Sequence, residues 1–287
     1  MTRSKKTPEM TIKPKISVIL FVKNDEDTCQ MAIESILKQT LQDIEIIAIK
    51  QDSCDTTFAK CAGYIETDTR LSLISRQNPS FANLLKLING DYVLISDTRA
   101  TFQESDFENM YYKAEATKAD FVFSNYLLPD KKEAINSYSD LSKSVFSWKS
   151  IPDKILTLSP YLFANKLYKT EFFQDLLKTA KECNILDESD FPAFAFVKAN
   201  NIAYAQKAMM SCLKPEVIRG SRNWKWSVVS LLGMEFFLNQ KTNYSLTEQS
   251  FLNYTLEKLL FLTEASAPYQ GMAKIISSRK PLHISTF

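Results

Sequence analysis

A chain of 287 residues, 45% hydrophobic and 24% charged, has ordinary globular composition and enough length for one large domain or two modest ones. Its 35 basic and 33 acidic residues leave a net charge of +2, which argues against nucleic-acid binding through a generally basic surface. Five cysteines without a CxxC pair, a single histidine (His283) close to the C-terminus and only five glycines, none in a phosphate loop, argue against disulfide frameworks, zinc sites, histidine catalysis, dinucleotide-binding Rossmann enzymes and P-loop enzymes.

The polar, basic stretch from Met1 to Lys15 lacks an apolar signal core, and no run reaches the roughly 18 to 20 apolar residues of a membrane span. A soluble intracellular protein is expected. Ile16 to Val22 and Ile44 to Ile49 are apolar on both faces, the pattern of parallel strands covered by helices. Between them Asn24, Asp25, Glu26 and Asp27 read as capping side chains for a helix whose buried face carries Met31, Ala32, Ser35, Ile36 and Gln39. Strand, helix and strand then form one right-handed βαβ unit with both strand ends at the same edge.

After the second strand, Lys50 to Asp55 reads as a polar loop and Thr56 to Tyr64 as a short helix. A weaker strand over Leu71 to Ile74 and a helix over Ser80 to Ile88 lead into a third buried strand, Tyr92 to Ile95, which ends at Asp97. The carboxyl ends of these strands are where a ligand crevice is expected. A helix over Glu104 to Lys118, with Phe107, Met110, Tyr111 and Ala114 on one face, precedes a strand at Phe121 to Phe123. Residues 129–150 read as a loop. Compact structure resumes over Leu158 to Leu177, and two amphipathic helices, Trp224 to Asn239 and Leu246 to Leu262, close the chain. The second opens on Ser245 and Glu248 at capping-box spacing.

Six stretches resemble the inverting glycosyltransferases of family 2. Ile16 to Asn24 is similar to the family's opening VSVIVPVYN, Ser35 to Thr40 to its SILNQT, and Asp43 to Ile47 to its DIEII. Asn89 to Val93 resembles its GEYI, Ala119 to Tyr126 its ADIVICNY, and Ala164 to Phe172 its WNKLYRREF. The matches are collinear over about residues 15 to 222. The resemblance implies the GT-A nucleotide-sugar fold: an α/β architecture with a mainly parallel central sheet flanked by helices and a helical C-terminal extension. The implied divisions are a flexible N-terminus (1–14), a nucleotide-sugar-binding half (15–128), an acceptor-side half (129–222) and the helical extension (223–287).

The resemblance also locates a site, and there the chain departs from the family. Val22 and Asn24 end the strand that borders the nucleotide. The family's DDGSTD loop becomes Lys50 to Asp55, in which Gln51, Asp52 and Asp55 would face the nucleotide, Gln51 through an amide suited to a uracil edge. The family's metal-binding DSDD becomes Asp97, Thr98, Arg99 and Ala100. A guanidinium in place of the second carboxylate removes an oxygen ligand and repels a cation, which disfavours Mn²⁺ or Mg²⁺ as cofactor. Arginine can itself neutralise a diphosphate, so a metal-free route is chemically open, and at this spacing Asp97 and Arg99 can equally pair with each other. The family's base falls on Glu188, with Asp190 or Asp187 as the alternatives one register slip away.

Two function classes fit these residues. One is a transferase taking a nucleotide-sugar donor, UDP-linked, to a glycan, lipid-linked or protein-linked acceptor, cytoplasmic or peripheral at the inner face of the membrane. The other is a catalytically inactive relative that binds a partner, with the C-terminal helices as docking surface or homo-oligomer contact. Neither involves nucleic acid or a transmembrane segment.

Overall fold

The computed structural model describes residues 13–22, 24–50, 56–64, 66–74, 84–127, 145–146, 163–182, 192, 195 and 198–213. β1 (Ile16–Val22), β2 (Ile44–Lys50), β3 (Leu71–Ile74) and β4 (Tyr92–Asp97) form a parallel half-sheet in the order β3-β2-β1-β4. Their aliphatic side chains alternate into two apolar layers. Ile19, Ile47, Val93 and Ile95 face one side, while Val18, Leu20, Ile46 and Leu94 face the other. α1 (Cys29–Leu37) crosses between β1 and β2 and covers the second layer with Cys29, Ala32, Ile33 and Ile36.

Beyond β4 the sheet is mixed. β8 (Lys166–Lys169) lies antiparallel between β4 and β6 (Phe121–Leu127), and β9 (Ile202–Cys212) runs parallel to β6. The far edge of β9 is shared by β7 (Val145–Phe146) and β5 (Ala100–Phe102), both antiparallel to it. α2 (Thr57–Ala62), α3 (Asp106–Thr117) and α4 (Thr170–Glu182) complete the described elements. No described helix is long and apolar enough to cross a membrane.

Several expectations change. The parallel central strands are as expected, with antiparallel members added where β8 enters the sheet, and Val145 and Phe146 form a strand inside the stretch read as a loop. Met31 is 50% exposed, because the buried face of α1 turns on Ile33 and Cys29 instead. The N-cap of α1 is Thr28, with no side-chain capping bond; the carbonyl of Asp25 takes the amides of Thr28 (3.0 Å) and Cys29 (2.9 Å) instead. That leaves the Asp25 carboxylate for another purpose. The two C-terminal helices read from the sequence, and His283, lie outside the described residues.

Candidate functional site

The carboxyl ends of β1, β2 and β4 lie side by side, as the register requires: Val22 pairs with Lys50 and Phe21 with Asp97. Three loops leave this edge, one towards α1, one towards α2 and one a two-residue turn, Thr98 and Arg99, joining β4 to β5. Asn24 adopts a left-handed backbone (φ 44°), a conformation asparagine tolerates better than most residues, and this bends the chain sharply out of β1. Val22 is fully buried in the second apolar layer, so what it can offer a ligand is backbone. Lys50 holds its ammonium 5.3 Å from the centre of the Phe58 ring.

Arg99 is gripped by two carboxylates. Its backbone amide donates to Asp97 Oδ1 (2.8 Å) and its Nη2 to Asp97 Oδ2, while Nε lies 3.8 Å from Asp25 Oδ2. The same Asp25 oxygen accepts the buried Thr98 hydroxyl at 2.8 Å, and the Asp25 amide donates to Thr57 Oγ1 at 3.0 Å. The Arg99 carbonyl accepts from Leu213 beyond β9 at 2.7 Å. Burial works against the guanidinium's charge, but the Asp97 hydrogen bond and the two carboxylate charges outweigh it, and its pKa rises above the ordinary range. Arg99 is a permanent cation.

The bonds define which edge of the guanidinium is used. Nε and Nη2 share one edge of the planar group, and that edge faces the carboxylates. Nη1 and the outer proton of Nη2 form the second edge, the geometry that fits a phosphate bidentately. The Asp25 side chain is 9% exposed, against 27% for Arg99 and 34% for Asp97, so the inner side of the cluster is closed and the outer side open to solvent.

The cluster does not fit a divalent cation. Both Asp97 oxygens are engaged by Arg99 and a positive charge stands beside them, so these side chains by themselves offer a cation too few oxygen ligands. Of the site residues read from the sequence, the structure brings Val22, Asn24, Asp97 and Arg99 to one edge. Gln51, Asp52, Asp55, Glu188 and Asp190 lie outside the described residues. Sequence reasoning missed Asp25, Thr57 and Thr98 as members of this cluster. The nearest signal, an acid three residues beyond the end of β1 and an arginine two residues beyond the end of β4, is also the pattern of an ordinary helix cap.

Fold and site edge together define a GT-A-like nucleotide-sugar transferase architecture. A family model described as glycosyl transferase family 2 matches residues 17–180, and the chain belongs to that family. It is 28% identical over 181 residues to glycosyltransferase GlyA of Streptococcus pneumoniae, covering 58% of this chain and 26% of that protein. To the Escherichia coli UDP-Glc:alpha-D-GlcNAc-diphosphoundecaprenol beta-1,3-glucosyltransferase WfgD it is 26% identical over 146 residues, 49% of this chain and 54% of that one. The chain thus spans between about a quarter and about half of these curated relatives. Among solved structures, residues 1–349 of S. aureus TarS in complex with UDP-GlcNAc superpose with a TM-score of 0.67 at 17% identity, covering 91% of this chain and 79% of that one, a likeness of fold.

Proposed function

We propose that this chain binds a UDP-sugar at the carboxyl edge of β1 and β4 and transfers the sugar with inversion to a glycan, lipid-linked or protein-linked hydroxyl, without a divalent cation. The observation that carries the reading is the half-used guanidinium of Arg99. One edge is held by carboxylates and the other remains open at the edge of the sheet where ligands of such folds sit. A fixed cation there stabilises the negative charge that grows on the departing diphosphate, the task a metal otherwise performs. The UDP-linked donors named for TarS and WfgD support the choice of nucleotide.

In the reaction the acceptor oxygen attacks the anomeric carbon in line, the bond to the diphosphate breaks, and a carboxylate takes the acceptor's proton. Glu188 is our candidate for that base, with Asp190 as the alternative; Gln51, Asp52 and Asp55 would line the nucleoside. A lipid-linked acceptor would bring the protein to the inner face of the membrane.

Calorimetry with UDP in the presence of EDTA and then of Mn²⁺ tests the reading. Equal binding under both conditions, strongly weakened in Arg99→Ala, is the expected result. No binding of UDP, GDP or CDP at millimolar concentration would sink the transferase and leave the inactive, partner-binding relative. Binding that appears only with Mn²⁺ would refute the metal-free route.

A further inference from the structure

Resting on the donor-binding reading above, the geometry points to Asp25 as a positioning residue of the site, one that sets the orientation of Arg99 without touching the ligand. Among the described residues, Asp25 links the three segments that follow the carboxyl edge: the start of α1, the start of α2 and the β4–β5 turn. Its carbonyl receives the first amides of α1, its amide donates to Thr57 at the start of α2, and its carboxylate takes the Thr98 hydroxyl of the β4–β5 turn. It also supplies the second charge on the inner edge of the guanidinium, at Nε.

Asp97 alone holds one nitrogen of that edge and leaves the plane free to rotate about the Nη2 contact. A second carboxylate 3.8 Å from Nε draws that nitrogen inward by its charge, which biases the plane and with it the direction of the Nη1 edge. The hydroxyl of Thr98 in turn fixes the carboxylate. The cluster contains two carboxylates and one guanidinium, so its formal charge is −1. What these three side chains offer a diphosphate is orientation.

Removing the Asp25 charge therefore has two opposite effects. It relieves repulsion of a diphosphate, which tightens binding, and it frees the guanidinium plane, which weakens it. The sign of the change separates them. In Asp25→Asn, which keeps the shape and an oxygen for Thr98, UDP binding should weaken by about tenfold, the scale of one charge-assisted contact. Asp25→Glu should recover part of it. In an Arg99→Ala background, assayed at UDP concentrations raised to match its weaker binding, Asp25→Asn should change nothing further, which a purely structural role would not produce.

Thr98→Val, a nearly isosteric change that leaves every charge in place, serves as an independent variant and should weaken binding by about two- to threefold, as the loss of one neutral hydrogen bond predicts. Unchanged or tighter UDP binding in Asp25→Asn overturns the assignment, as does an equal loss with and without Arg99. Absence of UDP binding by the unaltered protein is a different failure, that of the donor reading itself.

Discussion

The two ends of β1 and β4 carry polar clusters built on opposite principles. At the amino end, the buried Ser17 donates its hydroxyl proton to Glu45 and accepts the Gly90 amide at 2.8 Å, while Glu45 takes the amide and side chain of Asn89 at 2.7 and 2.9 Å. This network locks β1, β2 and the approach to β4 through neutral donors around one acid. At the carboxyl end a cation is held between two acids, and its Nη1 makes no bond among the described residues. The first cluster spends its polar groups on one another and serves register; the second keeps donors over and holds charge in reserve. A site is distinguished here by bonding capacity left over, not by the mere presence of buried polar groups.

Substitutions at the two ends should differ accordingly. The largest effect is expected at Gly90, where an added Cβ would lie 2.5 Å from the Ser17 amide nitrogen and 2.9 Å from the Ile16 carbonyl carbon. Backbone must move, so Gly90→Ala should cost about 3 kcal/mol in urea unfolding, the upper range of overpacking. Urea curves that superpose on those of the unaltered protein would refute the closed reading of the amino end.

A buried acid without a cation supplies the next comparison. Asp106, 1% exposed at the start of α3, accepts the amides of Gln103 (2.7 Å) and Met209 (2.9 Å). Burial pushes its carboxyl up to about 6 despite those two bonds. Its folded pKa exceeds the unfolded value, so the folded state binds more protons between them. Stability should therefore fall as pH rises from about 4 to about 6, by about 3 kcal/mol at 1.36 kcal/mol per unit. Asp106→Asn should flatten that slope; a slope that survives the substitution would assign it to other groups.

At the carboxyl end, Arg99→Ala removes the cation beside the nearly buried Asp25 carboxylate. The loss should be about 1 to 2 kcal/mol, less than for a fully buried pair because the arginine is partly solvated, and a following Asp25→Asn should restore some of it. The smallest effect belongs to Lys13, whose pair with Asp91 is well exposed on both sides; Lys13→Ala should stay within about 0.5 kcal/mol. A larger shift there would mean that the amino end depends on charge after all.

The parallel half-sheet was legible because β1, β2 and β4 must be apolar on both faces, a pattern few other structures produce. β9 escaped notice: its sequence Ile202 to Cys212 mixes alanines with Gln206 and Lys207, and the exposed pair sits where its pairing with β6 shifts register between Ser124 and Asn125. β8 was hidden by Lys166, a charged residue type that the fold buries completely. Its ammonium donates to Asn165 at 2.9 Å, and burial pulls its pKa well below the ordinary range. The departure at Arg99 could be read from the sequence, and so could its pairing with Asp97, since that pair is local. Asp25 could not, because an acid before a helix has an ordinary role as a cap, and the contact replacing that role spans 73 residues of chain.

The turn that carries Asp25 also begins α1 with Cys29, a buried thiol that donates to the Glu26 carbonyl at 3.5 Å and has the buried Cys61 of α2 as a neighbour. Burial, and then Cys29 itself, push the Cys61 thiol up to about 12, so neither sulfur should react while the two helices stay packed. Alkylation of this pair then becomes a clock for the loops around the crevice. Its rate reports how often α1 and α2 part, and a ligand that draws those loops together slows it without any group of the site having to carry a label.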